Sequence, residues 1–178
     1  VLEYFIFTLY ILSMATLSLG FVRLLCVAIL LTAGACTYPI SKQLRQAAGK
    51  ENLNFSLVFE NPAAYTGRIV LWGGKIIETT NVRDGTEMII LDVPLDFWGE
   101  PKEAQQSRGR FIARSVRFLD PAVYRPDREI TLAAEVSGAE QRPLGATTYR
   151  YPVVMIKELY LWEPYYYHHA PYYPHYYW

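Results

Sequence analysis

Hydrophobic and polar positions divide the chain into four stretches of different character. Residues 1–35 are almost continuously apolar, with Glu3 and Arg23 their only charges. Residues 37–54 (TYPISKQLRQAAGKENLN) are polar, with few large apolar side chains, and read as a tether carrying one short helical piece at Ser41–Ala48. From Phe55 to Trp162, short runs rich in Ile, Val, Thr and Trp are separated by turn residues. The last stretch, 163–178 (EPYYYHHAPYYPHYYW), sustains neither a two-residue nor a 3.6-residue period, and proline punctuates each run. It reads as a disordered or extended low-complexity tail.

Within 55–162 the expected elements follow from turn chemistry. Asn61-Pro62-Ala63-Ala64-Tyr65-Thr66-Gly67 has a cap, a proline at the first helical position and a glycine terminator, so it predicts a helical turn. Arg68–Trp72 and Lys75–Val82 predict strands, with a bulge or sharp bend at Gly73-Gly74, where a missing side chain lets the backbone turn cheaply. Arg83-Asp84-Gly85-Thr86 is a hairpin signal, and Glu87–Val93 is the returning strand. A loop from Pro94 to Gln106, a strand over Arg110–Phe118 and a turn through Pro121 and Pro126 come next. Glu129–Ser137, a turn over Gly138–Gly145, and a long strand Thr147–Trp162 bent near Pro152 complete the domain. Six or seven evenly spaced strands with little helix between them favour an all-β fold: a small antiparallel barrel, closed or partly open and OB-like, with a sandwich second. A closed ring has no exposed edges to pair with other chains.

The apolar N-terminal stretch has the layout of a bacterial lipoprotein signal. Basic Arg23 precedes an uncharged run from Leu24 to Thr32, the small residues Ala33, Gly34 and Ala35, and then Cys36. Leu is usual three positions before the cysteine; here that position is Ala33. The first residue is Val, and the compact form of the signal would start at Met14. The rival reading is a retained membrane-spanning segment, since residues 4–35 exceed the ~20 apolar residues a span needs. Cys26 would leave with a cleaved leader, so the mature chain would hold one cysteine and no internal disulfide. The expected mature form carries covalent lipid on Cys36 and needs no other cofactor.

Composition narrows the partners. The 143 residues from Cys36 onward make one domain and contain 16 Lys+Arg against 16 Asp+Glu. No polybasic tract points to nucleic acid, and none is expected as a partner. With the lipoprotein signal, the expected partners are membrane lipid and an envelope protein or peptidoglycan.

An ordered set of motifs carries a family resemblance. Asn61-Pro-x-x-Tyr65-x-Gly67, Val70-x-Trp72-Gly73-Gly74-x-Ile76, Pro94-Leu95-Asp96 and Ser107-Arg108-Gly109-Arg110-Phe111 are followed by Phe118-Leu119-Asp120-Pro121-x-x-Tyr124, Tyr149-x-Tyr151-Pro152-Val153-Val154 and Leu161-Trp162. In this order and spacing, over residues 55–162, the chain resembles the Slp family of outer-membrane lipoproteins, named after a starvation-inducible member. The resemblance implies a lipid-anchored, periplasm-facing protein of the Gram-negative outer membrane, a link to stationary-phase or stress physiology, and no defined catalytic activity. Thr37 fits export to the outer membrane, since in enteric bacteria Asp at that position retains lipoproteins in the inner membrane. The shared motifs end before the tail.

The remaining candidates are weaker. Trp72 beside two glycines can be a stacking platform for a ligand or a core tryptophan beside a bend. Arg108, Arg110 and Arg114 would share one strand face, with Arg117 on the other, and would meet phosphates or local acids such as Asp120 or Glu135. All three histidines lie in the tail, which leaves no histidine for a triad in the folded body. His168, His169 and His175 are a weak, flexible metal-binding possibility. Asp92, Asp96 and Glu100 are carboxylates near one another in sequence, and turn chemistry accounts for them equally well. The leading expectation is a non-enzymatic structural or interaction role. The alternative is a binding module whose barrel holds a small amphipathic ligand or glycan in a deep pocket beside Trp72.

Overall fold

The computed structural model describes residues 38–51 and 53–164. The leader, Cys36 and the tail histidines His168, His169 and His175 lie outside the described residues. Five strands form the body: β1 (Ile69–Val82), β2 (Gly85–Asp92), β3 (Gly109–Ser115), β4 (Glu129–Leu144) and β5 (Thr147–Leu161). They close into a barrel in the order β1-β2-β3-β5-β4, with β1 also paired to β4. All neighbours are antiparallel except β3 and β5, which run parallel. The expected barrel is therefore present, with one parallel seam that the sequence reading did not include.

The strands are fewer and longer than turn residues alone suggest. Gly73-Gly74 does not split β1. The strand passes through the pair, bonded to β4 from Ile69 to Lys75 and to β2 from Gly74 to Val82. The two glycines sit where the strand changes partner, which is the corner of a closed ring. The register shift falls just beyond, between Ile76 and Glu78. The segment 138–144, expected as a turn, continues β4, and a second shift between Val136 and Gly138 bends that strand. Only Gly145 and its neighbour Ala146 connect β4 to β5.

Alternation decides which side chains fill the interior. In β2, Thr86, Met88, Ile90 and Asp92 point inward, two residues apart. Val70, Trp72 and Ile76 of β1, Phe111 and Ala113 of β3, and Ile130, Leu132, Ala134 and Val136 of β4 join them in one continuous core. A helix completes it. Phe55–Glu60 (α2) was read from sequence as the start of the strand region, but it is a six-residue helix capped by Asn54, whose Oδ1 accepts from Leu57 N at 3.1 Å. Its Phe55 and Val58 are fully buried. The Phe55 ring rests on Gly109 at the start of β3, so α2 closes that mouth of the barrel. The expected helical turn follows as a 3-10 turn, Pro62–Tyr65, with Gly67 at φ +82°. At the opposite mouth the β3–β4 connection folds back: Leu119 N donates to Thr86 Oγ1 at 2.8 Å and Tyr124 O accepts from Thr79 Oγ1 at 2.6 Å.

The segment read as a tether holds the expected helix, Lys42–Gly49 (α1), and that helix packs on the barrel. Ile40 and Ala48 are buried, and Ser41 N donates to the Glu158 carboxylate of β5 at 3.1 Å. The chain is thus docked from Tyr38 onward. Among the described residues no helix is long and apolar enough to cross a membrane.

Candidate functional site

Trp72 has no face to offer a ligand. It is 2% exposed, its ring meets Phe55 and Phe111 edge-on at centroid distances of 5.5 and 5.2 Å, and its Nε1–H donates to Leu53 O at 3.1 Å. The platform reading is corrected: the side chain lies on the inward face of β1, where alternation places it in the core. The space beside it is filled by aromatic and aliphatic groups. The described residues do form an open cleft of about 360 Å³, but away from Trp72, lined by Lys75, Arg125, Asp127, Arg128, Glu129 and Trp162 among others.

The arginines expected on one face are each committed differently. Arg108 precedes β3, and its Nε donates to Asp92 Oδ2 at 2.7 Å. Arg110 and Arg114 are on the outer face of β3, either side of Ile112, which is itself buried under Tyr151 and Val153. The Arg110 backbone N–H donates to Tyr149 Oη at 3.1 Å. Arg114 joins a four-member ion network. Its Nη2 lies 2.9 Å from Glu87 and 2.7 Å from Glu140, and Arg142 bonds the same two carboxylates at 2.5 and 2.7 Å. Hydrogen bonds from Arg142 are the main reason the Glu87 and Glu140 carboxyls sit below their usual range. The two acids and two arginines of the network cancel, so Arg114 is not free to meet a phosphate. The local partners are Asp92, Glu87 and Glu140 in place of Asp120 and Glu135; Glu135 pairs with Lys157 at 2.8 Å, and Asp120 Oδ1 caps Ala122 N. Glu87, Glu140 and Arg142 were not singled out in the sequence because their pairing crosses strands, Glu87 and Arg142 being 55 residues apart.

The three carboxylates near one another in sequence do not converge. Asp96 is a turn former: its Oδ1 accepts from Trp98 N at 2.8 Å and Glu100 N at 2.9 Å. Asp92 is an inward residue of β2 with no exposed surface, and its Oδ1 has no hydrogen-bond partner. Burial pushes its carboxyl up to about 6 against the opposing pull of Arg108.

The sign of the Asp92 shift fixes a test. A carboxyl with a raised native pKa gives stability that is complete below the unfolded value of 3.8 and is lost as pH rises through about 6. The loss is at most about 3 kcal/mol, from about 1.4 kcal/mol per pKa unit. Wild type should therefore lose urea resistance between pH 4 and 7 relative to Asp92→Asn. A constant gap between the two across that range would mean that Arg108 keeps the carboxyl ionised throughout.

A further feature lies beside Tyr38, where the described chain begins. The β2–β3 loop folds into a tight turn, with Leu95 bridged to Pro101, Asp96 N donating to Glu100 O at 2.8 Å, and Gly99 at φ +83°. The turn holds Phe97 and Trp98 edge to face, 5.2 Å apart and 85% and 57% exposed. Tyr38 lies directly against Gly99. Thr131 Oγ1 donates to Gly99 O at 2.5 Å and accepts from Trp162 Nε1 at 2.9 Å, and Trp162 meets Tyr160 edge to face. The signal in the sequence was Phe97-Trp98 between Asp96 and Gly99: two large aromatics at turn positions that have no inward face.

Comparison with known proteins bears on these elements together. The profile of the outer membrane lipoprotein Slp family matches residues 33–178, which takes in Cys36 and also the tail that the shared motifs had left out. The uncharacterized lipoprotein YeaY of Escherichia coli is 28% identical over 134 residues, 75% of this chain and 68% of YeaY. Outer membrane protein Slp of the same organism is 28% identical over 110 residues, 62% of this chain and 58% of Slp. An uncharacterized Haemophilus influenzae protein is 31% identical over 96 residues, 53% of this chain and 52% of its own length. The chain thus spans about two thirds of YeaY and little more than half of the other two. No solved structure matches. With the match covering most of its length, the chain belongs to the outer membrane lipoprotein Slp family.

Proposed function

We propose that this envelope protein is acylated at Cys36, faces the periplasm from the outer membrane, and has a non-enzymatic structural or interaction role. A part in stationary-phase or stress physiology follows from the same family reading. The observation that supports the role most directly is the filled barrel. Trp72, Phe55, Phe111, Met88 and Ile90 occupy the space in which an amphipathic ligand or glycan would sit. What the barrel offers is its outer surface, on which Glu87, Glu140, Arg114 and Arg142 are bound into ion pairs. The partners in this reading are outer-membrane lipid, through covalent lipid on Cys36, and an envelope protein or peptidoglycan.

The anchor is the part most open to test. Three acyl chains at about 0.8 kcal/mol per buried CH₂ hold a protein stably where one chain does not. Cys36→Ala should abolish incorporation of radioactive palmitate and leave the precursor uncleaved. Labelling of the variant equal to wild type would refute acylation at Cys36.

A further inference from the structure

We infer that the Phe97–Trp98 turn, with Tyr38, Tyr160 and Trp162 around it, is a second membrane contact that seats this part of the barrel in the headgroup layer of the bilayer. The inference rests on the acylation of Cys36 for its geometry. Tyr38 is two residues beyond Cys36, a chain length of at most about 7 Å. Tyr38 packs against Gly99, within the turn itself, and the chain is docked from that point, with Ile40 buried and α1 held on the barrel. A lipid on Cys36 therefore brings the two most prominent aromatics of the loop to the membrane surface with no slack to carry them away.

The composition and build of the turn suit that layer. Tryptophan and tyrosine concentrate at the membrane–water boundary, where an apolar ring and a polar edge are both satisfied. Entering a layer poor in water is costly for unpaired backbone groups, and several groups of the turn are already paired. Trp98 N and Glu100 N donate to Asp96 Oδ1, Gly99 N donates to Asp96 O, and Gly99 O accepts from Thr131. The Arg45 guanidinium sits 4.4 Å above the Tyr38 ring, placing a positive charge where lipid phosphates lie. A second exposed apolar group, Val116 and Phe118, lies past the other end of β3. It is separated from the turn by the length of that strand, about 20 Å at roughly 3.3 Å per residue, and the lipid does not reach it.

The test uses the full-length protein purified from membranes and reconstituted into phosphatidylethanolamine–phosphatidylglycerol vesicles containing lipid brominated on its acyl chains. The fluorescence of wild type minus that of Trp98→Phe isolates Trp98 from the other tryptophans. The expected result is a blue-shifted difference spectrum, quenched by the brominated lipid and shielded from iodide. Val116→Ser/Phe118→Ser should leave that signal unchanged. The mass of the N-terminal fragment is read on the same sample. Acylated Cys36 with an unquenched Trp98 overturns the inference and leaves the anchor standing. Bare Cys36 with a quenched Trp98 upholds the contact and overturns the anchor. Shielding from iodide without bromolipid quenching assigns the turn to a protein partner or a second copy, and overturns the inference as well.

Discussion

Gly74→Ala is expected to cost about 4 kcal/mol and to lower the barrel's urea midpoint steeply. A Cβ at this position would overlap the carbonyl oxygen of Leu91, a backbone atom that cannot swing aside. Gly74 pairs with Asp92 on one side and Ile130 on the other, so neither flanking strand can move away without breaking the ladder on that side. Overpacking contributes roughly 1–3 kcal/mol and the strained backbone a similar amount. Domains have only about 5–15 kcal/mol in total, so the loss is a large share. The internal control is Gly49→Ala at the end of α1, where a Cβ meets nothing within 4 Å. The same chemical change there should be neutral or stabilising by about 0.5–1 kcal/mol. Urea unfolding followed by far-UV circular dichroism measures both. Equal midpoints for the two variants would mean that the corner of the ring relaxes freely.

Trp72→Ala is expected to cost about 3–5 kcal/mol, the range for emptying a buried aromatic site. Three rings from α2, β1 and β3 interlock here, Phe55, Trp72 and Phe111, so the cavity cannot be closed by moving one side chain. Trp72→Phe separates packing from hydrogen bonding. It keeps an aromatic ring but leaves Leu53 O without the indole donor, a change of about 1–3 kcal/mol. The order wild type, Phe, Ala in urea midpoint is the expected outcome. An unfolding free energy for the alanine variant within about 1 kcal/mol of wild type would contradict the assignment of Trp72 to the core.

How far the sequence leads can be argued from single residues. Alternation in Glu87–Val93 is enough to read a half-buried strand, and Met88 and Ile90 are indeed inside. The glycine pair at 73–74 announces a bend, but whether that bend ends a strand or turns a barrel corner depends on β4, some sixty residues later. Phe55–Glu60 has two phenylalanines and a valine, which favour a strand locally; burial of Phe55 and Val58 on one helical face overrides that preference. Trp72 illustrates the same limit at the level of the site. A tryptophan beside glycine is compatible with display or with burial, and only the inward register of β1 decides. The arginines were visible as a cluster, while their partners Asp92, Glu87 and Glu140 come from other strands and could not be assigned by proximity along the chain.

The parallel seam makes closure of the ring depend on the final strand. β3 reaches its second neighbour only when Ile112 meets Val153, and β4 gains its second along almost the whole of β5. The segment that closes the ring, Thr147–Leu161, is thus the last strand in chain order. Any nascent or truncated chain stopping before residue 147 carries two bare strand edges, each a template for pairing with another molecule. A chain cut short of β5 is therefore expected to aggregate more readily than the intact domain.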